Sequence, residues 1–153
     1  MLNAGDKMPK FTLPDQNGDM VKSSDFLGKP LVVYFYPRDN TPGCTIEACS
    51  FRDKYSAFKK KGVPVIGISA DDIASHKKFA VSNKLGFILL SDPGKKAIKA
   101  FGAWGEKKIF GVTREGIIRS TFVIGADGRI KKVFPRVKPS EHAKDVLAAL
   151  DEE

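Results

Sequence analysis

An unbroken apolar run, Leu31-Val32-Val33-Tyr34-Phe35-Tyr36, is short, β-branched and aromatic, and predicts a buried strand. Pro37 ends it, because proline cannot donate to a sheet ladder. Residues 44–61 carry Phe51, Tyr55 and Phe58 at helical spacing, and Gly62 stops that helix. Residues 63–69 form a second buried strand. Strand, helix and strand at this length make a βαβ unit with parallel strands. Asp71 and Asp72 cap a helix reaching about Asn83, with Ile73 and Phe79 inward. Phe87-Ile88-Leu89-Leu90 is a short apolar segment, and residues 94–101 form a helix ended by Gly102.

Residues 119–124 read as a strand, Ala126-Asp127-Gly128-Arg129 as a tight turn, and residues 130–134 as the antiparallel partner. A last helix opens at Pro139-Ser140-Glu141, with Val146, Leu147 and Leu150 on its inner face. Near the N-terminus, Asn17-Gly18 between short apolar segments predicts a hairpin covering one edge of the fold. Residues 103–118, with Trp104, Phe110 and several glycines, show no legible period.

The chain has 153 residues, enough for one domain spanning 1–153 with a proper core. No apolar run approaches the roughly 18 residues of a membrane span. Residues 1–6 hold no apolar signal region, so a cytoplasmic location is expected. Net charge is +8, but the lysines are scattered pairs and one short run, Lys59-Lys60-Lys61. That pattern fits solvated helix faces, and nucleic-acid binding is not expected. Two cysteines are too few for a secreted disulfide scaffold.

Those cysteines carry the chemistry. After the first buried strand, Thr41 caps a helix that Pro42 begins, and Cys44 falls in its first turn. Free amides and the helix dipole there favour an anion. A thiol of pKa near 8.5 is only about 3% thiolate at pH 7. The dipole supplies about 1 kcal/mol, so strong activation needs a cation as well. Arg38 is near in sequence, and Arg119 could reach the same sheet end. A position in a turn opening a helix argues against a buried core thiol, the bland alternative for Cys44. Cys49 lies five residues on. On one continuous helix the two Cα atoms would stand roughly 8–9 Å apart, beyond the reach of about 7 Å for a disulfide. The pair is therefore either a dithiol that never bonds or a redox pair working by local unfolding.

Pro37, Thr41 and Cys44 match the P-x-x-x-T-x-x-C signature of peroxiredoxins. The string from Tyr34-Phe35-Tyr36-Pro37 through Thr41-Pro42-Gly43-Cys44-Thr45 to Glu47-Ala48-Cys49-Ser50-Phe51-Arg52-Asp53 is similar to the bacterioferritin-comigratory, or peroxiredoxin Q, subfamily. The likeness extends through Ser75-His76, Leu90-Ser91-Asp92, Trp104-Gly105-Glu106-Lys107 and Arg119-Ser120-Thr121-Phe122. Phe134 stands where the family has tryptophan, a matter of packing. The resemblance implies an α/β thioredoxin-like fold with a mixed central sheet, helices on both faces and an N-terminal β-hairpin extension. It implies a thiol peroxidase for hydrogen peroxide and organic hydroperoxides, with Cys44 peroxidatic and Cys49 resolving. Thr41, Arg119 and the amides of the Pro42-Gly43-Cys44 turn would bind the peroxide. Pro37 and Pro42 would shield the site, and Glu47 would orient it. Thioredoxin or a similar dithiol would restore the thiols, no metal or organic cofactor is implied, and the protein would be a monomer or weak homodimer.

Each of these residues has a plainer reading. Thr41 fits a simple cap, Arg119 a surface strand charge, Glu47 a solvated helix residue and Cys49 a core position. His76 and His142 read as surface helix residues, and Trp104 as packing. Metal binding fits poorly, because Cys44, Cys49, His76 and His142 lack a zinc-finger spacing. Two other functions are weighed. A thiol–disulfide oxidoreductase needs an unstrained disulfide, which the Cys-x-x-x-x-Cys spacing disfavours. A binding or chaperone-like protein with incidental cysteines predicts no peroxide consumption.

Overall fold

The computed structural model describes residues 1–151, so the last two positions of the expected domain lie outside the described residues. A five-stranded mixed sheet has the order β5-β4-β3-β8-β9. Its strands are β3 (Leu31–Phe35), β4 (Val65–Ser69), β5 (Ile88–Ser91), β8 (Ser120–Ile124) and β9 (Ile130–Phe134). Strands β3, β4 and β5 are parallel neighbours, while β8 runs antiparallel to both β3 and β9. Central β3 is buried along its whole length. Val32, Tyr34 and Tyr36 point into one core, and Leu31, Val33 and Phe35 into the other. A strand covered on both faces has no polar side to show, hence the unbroken apolar run.

The first core is closed by α1 (Pro42–Lys60), α2 (Ile73–Ser82) and α4 (His142–Leu150). The second is closed by α3 (Lys96–Ala100) and the N-terminal hairpin of β1 (Thr12–Pro14) and β2 (Met20–Lys22). That hairpin sits beside edge strand β5 through an Asp15–Leu90 bridge, as its Asn17-Gly18 turn leads one to expect. Residues 103–118 fold as a separate two-stranded hairpin, β6 (Trp104–Ile109) and β7 (Val112–Ile117).

Helix α1 carries the cysteines and is seated by aromatic packing. Phe51 and Phe58 are fully buried, each worth about 1.5–3 kcal/mol of apolar transfer. Phe51 stacks on Tyr34 with ring centroids 4.7 Å apart. Gly67 on β4 makes room for that ring, since a Cβ there would lie 2.8 Å from Tyr34 Cζ. At the near end of α1, Cys44 and Glu47 are buried while Pro42 and Ile46 are exposed. Asp72 alone caps α2, accepting from the Ser75 amide at 2.7 Å, because Asp71 is drawn into other bonds. Ile73 faces solvent rather than the core, while Phe79 is buried as expected.

Candidate active site

Cys44, Cys49 and Glu47 all lie on the one continuous helix α1, and both cysteines are free. Cys44 is 1% exposed, so the turn does not hold it at the surface as the sequence led us to expect. It is drawn inward because β3 and the α1 core close over the first turn. Arg119, immediately before β8, reaches it across the sheet. Its Nη2 donates to Cys44 Sγ at 3.2 Å and its Nη1 to Glu47 Oε1 at 2.8 Å. One guanidinium thus spans two groups one helical turn apart, a task suited to its planar fork. Arg38 is exposed and makes no comparable contact among the described residues.

Glu47 is fully buried, and its Oε2 has no hydrogen-bond partner among the described residues. Burial pushes its pKa up to about 7, only partly opposed by Arg119. The plain reading of Glu47 as a solvated helix residue is therefore wrong. Burial pulls the Arg119 pKa down, but Glu47 and Cys44 more than offset this and the net shift is upward. Both ends of the bridge hold a guanidinium that stays charged.

Thr41 occupies the cap position in extended geometry, but its hydroxyl makes no cap bond. It donates instead to the Arg38 carbonyl at 2.9 Å, because the loop doubles back there. The Thr41 carbonyl accepts the Thr45 amide at 2.9 Å, which starts the helix and leaves the amides before it without carbonyl partners in the helix. Gly43 has a steric role. A Cβ on it would stand 3.1 Å from Arg119 Nη2, so glycine gives the guanidinium its clearance. Pro37 is half-buried at the end of β3 and Pro42 is exposed. Cys49 is half-buried, with Sγ 3.8 Å from Asn83 Oδ1 at the end of α2. The fold brings together Cys44, Glu47, Arg119 and Gly43, and leaves Cys49 facing α2.

Both histidines correct the sequence reading. His76 is fully buried, with Nδ1 2.6 Å from Asp39 Oδ2 and Nε2 2.9 Å from the Leu90 carbonyl. His142 is 3% exposed, with Nε2 2.7 Å from Thr121 Oγ1 and its ring edge-on to Phe51 and Phe134. Burial pushes its pKa down to about 4. Asp39, Asp71 and His76 bring ligand-type atoms within 4.8 Å of one another. Those atoms are already engaged with protein donors and with each other. Sequence reasoning also missed Lys107 on β6. It lines a cavity of about 510 Å³ with Glu106, Lys108, Ile118, Arg119 and Arg136. Burial, then the Arg119 charge, pulls the Lys107 pKa down, with Cys44 acting the other way. The sole hint was its place in the Trp104-Gly105-Glu106-Lys107 string. No helix among the described residues is long and apolar enough to cross a membrane.

Comparison with known proteins gives the same picture. Residues 4–133 match the AhpC/TSA family. Peroxiredoxin Bcp of Escherichia coli K12 is 48% identical over 151 residues, covering 99% of this chain and 97% of the relative. A putative peroxiredoxin of Mycobacterium tuberculosis H37Rv is 46% identical over 141 residues, 92% of this chain and 90% of the relative. Among solved structures, a cysteine-to-serine mutant of PrxQ from Xylella fastidiosa has a TM-score of 0.91 at 35% identity, covering 98% of this chain and 96% of that one. Bacterioferritin comigratory protein from Xanthomonas campestris, described for alkyl peroxide reduction, has a TM-score of 0.87 at 36% identity over 92% of this chain and 89% of that one. The fold is that of thioredoxin-like peroxiredoxins, and the chain belongs to the AhpC/TSA family as a peroxiredoxin of the bacterioferritin-comigratory, or Q, type.

Proposed function

We propose that this peroxidase reduces hydrogen peroxide and organic hydroperoxides through Cys44, and that residues 1–153 act as one domain. The Arg119 bridge to Cys44 and Glu47 carries the reading. A guanidinium donating to Sγ favours the thiolate, and it stands ready beside the oxygens of a bound peroxide. The thiolate attacks the distal oxygen, the O–O bond breaks, and the leaving alkoxide or hydroxide takes a proton. Cys44 becomes a sulfenic acid and the peroxide becomes alcohol or water. Arg119, the Thr41 hydroxyl and the free amides of the Pro42–Cys44 turn hold both oxygens. They bind the stretched bond, with its developing charge, better than the intact one. Pro37 and Pro42 limit water, and Glu47 aims Arg119.

Cys49 is the resolving thiol in this reading. Its thiolate attacks the Cys44 sulfenic sulfur, water leaves, and a disulfide forms once the first turns of α1 unwind. Thioredoxin or a similar dithiol then reduces the disulfide by exchange. The protein works in the cytoplasm, as a monomer or weak homodimer.

The test adds one equivalent of hydrogen peroxide to reduced protein, counts thiols, and maps any bridge by mass spectrometry. Rapid loss of both thiols into a Cys44–Cys49 bond is expected. An oxidised Cys44 with Cys49 still free would remove Cys49 from the mechanism. Thiols reacting no faster than free cysteine would overturn the peroxidase reading itself.

A further inference from the structure

The loop between β3 and α1 is tied down at one residue. Asp39 is 6% exposed and its carboxylate takes three contacts. Oδ1 accepts from Tyr36 Oη at 2.6 Å, and Oδ2 accepts from Ser75 Oγ at 2.8 Å. Oδ2 also lies 2.6 Å from His76 Nδ1, and His76 Nε2 lies 2.9 Å from the Leu90 carbonyl oxygen. The Asp39 amide donates to Asp71 Oδ2 at 2.8 Å, and Ser69 Oγ donates to that same oxygen at 2.6 Å. One loop residue is thereby bound to Tyr36 just past β3, to Asp71 just past β4 and to the first turn of α2, and through His76 it is linked to β5.

This network is more than a buried polar group finding partners. Asn40 follows in a left-handed conformation, with φ of 63°. Thr41 comes next, then the turn that holds Cys44. Beyond Asp39 the next side-chain ties are the Thr41 hydroxyl to the Arg38 carbonyl and the Arg119 bonds to Cys44 and Glu47, while Asn40, Pro42 and Ile46 are exposed. Asp39 therefore fixes the upstream end of the segment that carries the Thr41 hydroxyl and the turn amides, as Arg119 fixes its downstream end. It also marks the upstream limit of any unwinding.

We propose that the buried Asp39–His76 pair, assisted by Tyr36 and Ser75, is a positioning clamp that fixes the upstream end of the peroxide-binding loop. The inference rests on the peroxidase reading above. Peroxide reduction needs two oxygens held at once by a loop of defined shape, and a misplacement of about 1 Å can cost on the order of a hundredfold in rate. Alkylation by iodoacetamide needs no such geometry, only a thiolate and access to it, and access to Cys44, 1% exposed, requires the loop to open. A loosened clamp slows the first reaction and leaves the second unchanged or faster.

The experiment measures both rates at Cys44 by rapid mixing, in wild type and in His76→Asn. The peroxide rate constant is expected to fall at least about tenfold, with alkylation of Cys44 no slower than in wild type. Tyr36→Phe and Ser75→Ala each remove one hydroxyl from Asp39 without stranding a charge. Each should give a smaller loss with the same selectivity for peroxide, and these two decide the matter if His76→Asn does not fold. Peroxide rates unchanged in the folded variants, or peroxide and alkylation rates falling together, overturn the clamp. Wild-type protein that reacts with peroxide no faster than free cysteine instead overturns the peroxidase reading.

Discussion

Arg119 and Cys44, 75 residues apart in sequence, meet at 3.2 Å, and the same guanidinium holds Glu47 at 2.8 Å. The contact is forked, so lysine cannot reproduce it. Arg119→Lys should lower the second-order rate constant for hydrogen peroxide by on the order of a hundredfold, as removal of one oxyanion donor does elsewhere. Stopped-flow oxidation of the reduced protein checks this. A loss under about threefold would mean that charge alone suffices.

Gly43 supplies the clearance that lets Arg119 approach. Gly43→Ala places a methyl group about 3.1 Å from Nη2, so the guanidinium must yield. The bonds to Cys44 and Glu47 resist that movement. The expected result is a slower peroxide reaction by roughly tenfold with a stable fold. Thermal unfolding and peroxide kinetics on the same sample check both halves.

Glu47 makes the folded state prefer acid. Its pKa in the fold is about 7 against an ordinary value of 4.5. A raised carboxyl pKa leaves stability whole below pH 4.5 and removes it as pH climbs toward 7. The full effect is on the order of 3 kcal/mol. Glu47→Gln should abolish that slope. Urea unfolding of both proteins at steps between pH 4.5 and pH 8 measures the difference.

His142 acts in the opposite sense. Its pKa falls from 6.5 to about 4 on folding, so it contributes stability that is complete above pH 6.5 and is lost on acidification toward pH 4. The ring is buried against Phe51 and Phe134 and must take up charge there. His142→Asn should flatten the acid limb of the stability curve at some cost in baseline stability. The same urea series checks it.

Much of this site was legible in the sequence because its signals are local. Proline after an apolar run, a Thr-Pro-Gly turn and a cysteine in a first helical turn each act within a few residues. The burial of Cys44, His76 and His142 was not legible, since it depends on neighbours contributed by distant strands and helices. The β6–β7 hairpin was hidden for another reason. Its register sets Glu106 opposite Glu115 and Lys107 opposite Arg114, which erases any apolar alternation. Its turn places Phe110 in a left-handed conformation with φ of 52°, where glycine or asparagine is the usual signal.

Helix α1 is seated at one end by Phe51 and Phe58, fully buried aromatic rings, and at the other by the smaller Cys44 and Glu47 with their shared Arg119, while Pro42 and Ile46 meet solvent. In the proposed cycle that imbalance becomes a clock. While the first turns stay wound, an oxidised Cys44 can meet only another peroxide, which drives it on to sulfinic acid. Once they open, it meets Cys49. The opening frequency of a short stretch of helix thus sets the peroxide concentration the protein survives. A tighter helix start would make a more fragile enzyme.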